Sequence, residues 1–300
     1  MNIIDTHAHA FPKGWFSASD IPRGASKIST YTVSQHLASL AAAGEVGLYL
    51  SVPVGFAPDP RLMLANLREA EAWKVRTGSE KTRILALLAM DPSFLREGLF
   101  HHTGIAGARF TVEAQTPDEL RKTGFPEGEW AECFRFFADT HRQLHVRVTN
   151  NDTLRFLLDV LPPDLIVALD HLGLASGEAA PADPGFQSVL KAAADRGRVY
   201  FKGPGFRTSL DPMKVAPVVE SILRSCGPES VWLGATDAPF LWSDADSGQP
   251  LQDLIPSTSR ALDYVSTLAH RVGRGPGDPD SPSAEDLLSG NILRVFDRFG

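Results

Sequence analysis

Asp5, His7 and His9 alternate along the segment IIDTHAHAF near the start of the chain. Residues two apart on a β-strand point to one face, so the spacing predicts three polar side chains presented together. Two imidazoles one residue apart on a strand can converge on a single metal ion. Other candidates stand inside or at the ends of further apolar runs: His145 in QLHVRVT, His171 in LIVALDH and Asp237 in VWLGATD. A lone histidine in such a place is more readily a hydrogen-bonded core residue than a ligand. A set of imidazoles with one carboxylate, each at the equivalent place in its own run, points instead to metal-assisted or acid–base chemistry on a carbonyl. Cationic groups lie nearby: Arg109 in GARFTV, Arg147 two residues after His145, and Lys202 and Arg207 in FKGPGFRTS. A guanidinium at a strand end suits bidentate capture of a carboxylate. Arg109, Lys202 and Arg207 are therefore the expected contacts of an anionic substrate.

The runs that carry these residues alternate strictly with helical patterns. Ile3–Ala8 precedes a helix from about Thr32, where Thr32 and Gln35 have capping-box spacing, to Gly44. Val46–Val54 precedes Arg61–Arg76, Arg83–Met90 precedes a short helix from Ser93, and Gly104–Val112 precedes Glu129–Arg142. Gln143–Thr149 leads into Asp152–Leu161, capped by Asn151 or Asp152. Leu165–His171, Arg198–Gly203 and Val231–Asp237 precede Gly185–Arg196, Met213–Ser225 and Ser257–Val272. Eight strand–helix pairs predict an α/β chain folded as a (β/α)8 TIM barrel, with its catalytic groups where the strands end. An open doubly wound sheet would bring a glycine-rich phosphate loop after the first strand, and none is present. The long first connection, residues 10–31, belongs to the active face on this reading. A last helix, Ala284–Phe299 with Ser283 as N-cap, is expected as one extra C-terminal helix closing an end of the barrel, and residues 1–300 as a single domain.

Composition narrows the partners. The 300 residues carry 29 Lys+Arg against 36 Asp+Glu, a formal charge of −7, and 43% are hydrophobic. Such a chain buries a core without staples and is not disordered. Its acidic balance argues against nucleic acid or an anionic membrane as partner, leaving a small-molecule substrate. Cys133 and Cys226 stand in no CxxC or Cys/His cluster, and the first residues lack a basic and an apolar signal region. A cytoplasmic location is the expectation. Self-association into a homo-oligomer is left open.

IIDTHAHAF, ALDHLG and GATDAPF, in that order on a barrel pattern and with NILRVFDRF at the C-terminus, resemble the metal-dependent amidohydrolase superfamily. They are most similar to its amidohydrolase-2 branch, which includes the lactonases of pyrone dicarboxylate and related lactones. The resemblance implies that His7 and His9 are the metal pair of strand one, that His145 and His171 are the histidines of strands five and six, and that Asp237 takes a proton from the attacking water. It implies one divalent ion, zinc or manganese, on His7, His9, His145 and Asp237, with Asp237, His171 and His145 as catalytic residues. Two-metal members place a carboxylated lysine or a glutamate on strand four, where this chain has Arg109, so one metal or none is implied. Two departures stand out. Ala238 and Pro239 follow Asp237 directly, and Leu174 stands where the pyrone lactonase carries an arginine. The implied activity is a lactonase or a related ester or amide hydrolase acting on a small carboxylated substrate. Non-oxidative decarboxylases of the same branch use a similar site and form the alternative. A barrel that only binds a ligand is the non-enzymatic one.

Overall fold

The expected apolar runs become eight strands: β1 (Asn2–Ala8), β2 (Glu45–Ser51), β3 (Arg83–Ala89), β4 (Ile105–Val112), β5 (Gln143–Val148), β6 (Ile166–Leu169), β7 (Val199–Lys202) and β8 (Val231–Trp232). The computed structural model describes residues 2–12, 15, 31–55, 57–112, 115–174, 177–239, 254–273 and 281–298, with backbone alone at 174, 177–178 and 254–257. All neighbouring strands are parallel and lie in chain order. Most of the first connection, 13–14 and 16–30, and the segment 240–253 after β8 lie outside the described residues.

Helices follow where polar caps precede apolar stripes. In α1 (Val33–Ala43) the expected capping box is present, Thr32 Oγ1 accepting from Gln35 N and Gln35 Oε1 from Thr32 N at 3.2 and 2.8 Å. α2 (Pro60–Thr77) is capped by Asp59, which accepts from Arg61 N. After the short α3 (Ser93–Arg96) comes α4 (Pro117–Lys122), which the sequence pattern did not announce because six residues carry too little periodicity. Its signal was the capping box of Thr116 and Glu119. α5 (Glu129–Asp139) precedes α6 (Asn151–Val160), whose N-cap is Asn150, one residue earlier than expected. Asn150 Oδ1 accepts from Thr153 N at 2.7 Å, the geometry that neither Asn151 nor Asp152 supplies. Helices Pro184–Arg196, Pro212–Cys226 and Leu254–Val272 complete the outer layer. No helix among the described residues is long and apolar enough to cross a membrane.

The eighth run differs from expectation: it pairs as a regular strand only over Val231–Trp232, and the rest continues as irregular extended chain. That continuation nevertheless closes the cylinder. Thr6 gives both its N–H and its Oγ1 proton to Gly234 O, at 2.9 and 2.8 Å. Asp237 N donates to His7 O and His9 N to Ala238 O, each at 2.6 Å. Inside the barrel floor, Ile4, Leu48, Leu50, Leu85, Ile166 and Trp232 pack with Ile292, Val295 and Phe296 of the C-terminal helix Asn291–Phe296. The extra helix therefore plugs one end, as its sequence suggested. Each fully buried Leu or Phe of that plug contributes about 1.5–3 kcal/mol. The other end carries the polar residues.

Candidate metal centre

Strand β1 brings the first candidates in, by a route the even spacing did not predict. Asp5 pairs with Tyr49 of β2 and Ala8 with Ser51, so three steps of β1 oppose two of β2. This extra residue breaks the alternation. Asp5 consequently joins His36 of α1, Oδ2 to Nε2 at 2.7 Å, whereas His7 and His9 come together with Asp237. The three residues do not share a face.

His7 Nε2 and His9 Nε2 lie 3.2 Å apart. Asp237 Oδ1 is 3.6 Å from the first and 3.3 Å from the second. His171 stands against the same ring, its centroid 4.9 Å from that of His7. One ligand atom each from His7, His171 and Asp237 lies within 4.8 Å of the others, all three residues being buried. His171 sits just past β6 and Asp237 in the irregular chain that continues β8, with φ of +54° and +57°. Non-glycine residues held in that conformation are strained, and such strain clusters at functional sites.

The electrostatics favour a cation in this space. Burial, the largest influence on each ring, pushes His7 well below the ordinary histidine range, lowers His9, and takes His171 to about 3. The rings are therefore neutral near pH 7. His9 Nδ1 faces Val52 O at 2.7 Å, and a carbonyl only accepts, so Nδ1 carries the proton and Nε2 a lone pair. That lone pair confronts Asp237 Oδ1, another acceptor. Burial alone would raise Asp237, but its surroundings, the Arg207 fork on Oδ2 among them, hold it well below the usual carboxylate range. His171 Nδ1 is buried without a hydrogen-bond partner among the described residues, and His7 Nδ1 faces Asp170 Oδ1 at 3.5 Å. Buried imidazoles and a carboxylate with ligand atoms this close are the kind of donor set a divalent ion such as zinc takes.

His145 is placed elsewhere. Lys202 Nζ donates to its Nδ1 at 2.8 Å, and its Nε2 meets Gln143 Oε1 at 3.0 Å, so both ring nitrogens are engaged away from the His7–His171–Asp237 group. Lys202 is fully buried, and its ammonium lies 2.8 Å from Asp170 Oδ1 and 3.3 Å from Thr6 O. It is buried inside the barrel, with Asp170, His145 and Thr6 around its ammonium. Arg109 gives Nε to Asp170 Oδ2 and Nη1 to Pro53 O, both at 2.8 Å. Its Nη2 has no partner among the described residues. Arg207 forks onto Asp237 Oδ2 through Nε at 3.1 Å and Nη2 at 2.8 Å.

Asp170 is the residue that reading the sequence missed. Burial would raise its carboxyl, yet Lys202 and Arg109 outweigh that and hold it well below the usual range. Its Oδ1 lies 3.5 Å from His7 Nδ1. The signal was available: an aspartate closing the apolar run LIVALDH, immediately before His171.

No family model matches the chain, and no curated protein does either. Solved structures do. A probable 2-pyrone-4,6-dicarboxylic acid hydrolase from Acinetobacter baumannii, with citric acid bound, is 18% identical and covers 99% of this chain and 100% of its own, with a TM-score of 0.64. An amidohydrolase from Burkholderia multivorans with bound zinc is 16% identical over 99% of both chains, with a TM-score of 0.65. A dihydroxybenzoic acid decarboxylase from Polaromonas, with manganese and the inhibitor 2-nitroresorcinol, is 13% identical over 99% of this chain and 97% of that one, with a TM-score of 0.59. At these identities the likeness is one of fold. The fold that these structures share with the described residues of this chain is a (β/α)8 barrel.

Proposed function

We propose that this protein is a hydrolase of small carboxylated substrates, a lactonase or related ester or amide hydrolase, with one divalent ion, zinc or manganese, on His7, His171 and Asp237 and with His9 beside them. The observation that carries the reading is the convergence of buried histidines on Asp237: His9 Nε2 lies 3.3 Å from its Oδ1, and one ligand atom each of His7, His171 and Asp237 lies within 4.8 Å of the others. When bound there, such an ion lowers the pKa of water and polarises a carbonyl. Asp237 accepts the proton of the attacking water as its oxygen bonds to the carbonyl carbon. It returns that proton to the departing oxygen as the ester bond breaks. Arg207, on the other carboxylate oxygen, keeps Oδ1 aimed at the cluster. Arg109, 5% exposed and with Nη2 uncommitted among the described residues, holds the substrate's carboxylate. The citric acid bound by the Acinetobacter protein supports a carboxylated ligand. His145, Lys202 and Asp170 act as the charged floor beneath the site.

The test is a panel of acidic and neutral lactones followed by proton release, on protein whose metal content has been measured. Acidic lactones turned over only by metal-loaded protein are expected. Preference for neutral lactones, or full activity without metal, would overturn the reading. Because a decarboxylase shares the fold, the same panel includes hydroxybenzoates. Release of CO2 without hydrolysis would establish the alternative, and binding without turnover of either set the non-catalytic one.

A further inference from the structure

A buried group that the proposed chemistry does not use sits behind the cluster. Asp5 is fully buried and accepts from four donors: His7 N and Thr236 N on Oδ1, both at 3.0 Å, and His36 Nε2 and Thr236 Oγ1 on Oδ2, both at 2.7 Å. His36 is itself braced from behind, its Nδ1 lying 2.6 Å from Tyr31 OH. Thr236 Oγ1 also accepts from Ala238 N at 3.2 Å. One carboxylate thus ties the backbone of His7, where β1 carries its extra residue, to both flanks of Asp237, where the chain holds φ +57°. The direct hydrogen bond from Asp237 N to His7 O at 2.6 Å completes the ring.

We infer that Asp5 is a positioning residue that sets the distance and orientation of His7 relative to Asp237 across the barrel seam, and so the metal affinity of the site. The inference rests on the reading of His7, His171 and Asp237 as metal ligands. The physical case is that the two backbones meet along an irregular seam, crossed by hydrogen bonds from Thr6 N, Asp237 N and His9 N without forming a regular ladder. The seam beyond Val231–Trp232 has one isolated bridge, Ala8 to Ala238, and β1 is irregular between Asp5 and Ala8. Where regular pairing is interrupted, a buried carboxyl group with four hydrogen-bond partners helps to fix register. His36 lends the arrangement a rigid anchor on α1.

The experiment measures zinc affinity by chelator competition and the visible spectrum of the cobalt-substituted protein for wild type, Asp5→Asn and Thr236→Val, with melting of the metal-free proteins alongside. Asp5→Asn is expected to weaken zinc binding about ten- to hundredfold and to change the cobalt spectrum. Thr236→Val, which removes one donor and leaves the carboxylate, is expected to weaken it about three- to tenfold. A purely structural Asp5 would lower the melting temperature while leaving affinity and spectrum at wild-type values, and that result overturns the inference alone. If Asp5→Asn does not fold, Thr236→Val decides by the same criterion. A wild-type protein that binds no zinc or cobalt overturns the metal reading and the inference with it.

Discussion

Asp237 is the residue on which the proposed chemistry turns, and its two oxygens have different neighbours. Oδ2 is held by the Arg207 fork, while Oδ1 faces His7 and His9. Asp237→Asn preserves shape and the contact with Arg207 but removes the charge and the proton-accepting oxygen. Turnover of an acidic lactone is expected to fall about 10²–10⁴-fold, and retention of wild-type turnover would remove Asp237 from the mechanism. Arg109→Met addresses binding instead. It should raise KM for carboxylated substrates roughly tenfold or more, the value of one lost charge-assisted contact, and leave neutral ones unchanged. An equal effect on both classes would deny Arg109 that role.

At the scale of elements, the barrel aims these side chains by departures from regular pairing. Strand β4 has one extra residue against β3, since Ala86 pairs with Ile105 and Leu87 with Gly107. Gly107 then runs so close to β5 that a Cβ would lie 1.9 Å from Gln143 O, with φ at +151°. No movement of a flexible side chain relieves a clash with backbone. Two residues further along, Arg109 pairs with His145 in register. Gly107→Ala is accordingly expected to cost about 3 kcal/mol or more, read as a lower urea midpoint at unchanged slope. Near-wild-type stability would mean that β4 and β5 tolerate a wider spacing than the register indicates.

The whole molecule buries its titratable groups in a way that ties stability to pH. His7, His9 and His171 have folded pKa values depressed by burial, His171 to about 3. In the unfolded chain these rings take up protons near pH 6.5, whereas the folded metal-free protein does not. The unfolded state then binds more protons, so stability present above about pH 6.5 is lost as the pH falls toward the folded values. Urea midpoints of metal-free protein should drop between about pH 7 and about pH 5, and less steeply in His171→Gln. A flat profile would show that the rings are already protonated in the folded state. The depressed carboxylates Asp5, Asp170 and Asp237 add a loss of the same sign below their ordinary value of 3.8.

Strict alternation of apolar runs with capped helical stripes was enough to determine the barrel, and the places of His7, His9, His171 and Asp237 were legible because each stands at or just beyond the end of such a run. These are local properties, counted along one segment at a time. Which atoms meet is decided across segments. One extra residue in β1 sends Asp5 to α1 and to Thr236, 231 positions away, although spacing alone aligns it with His7. His145 shares its strand-end signature with His171, yet Lys202, 57 positions on, binds its Nδ1. Asp170, indistinguishable in sequence from an ordinary strand-end carboxylate, becomes the counter-charge for Lys202 and Arg109 once the barrel closes around it. Tertiary structure alone decided these matters, because burial makes an unpaired charge so costly that partners are set by three-dimensional proximity and not by pattern.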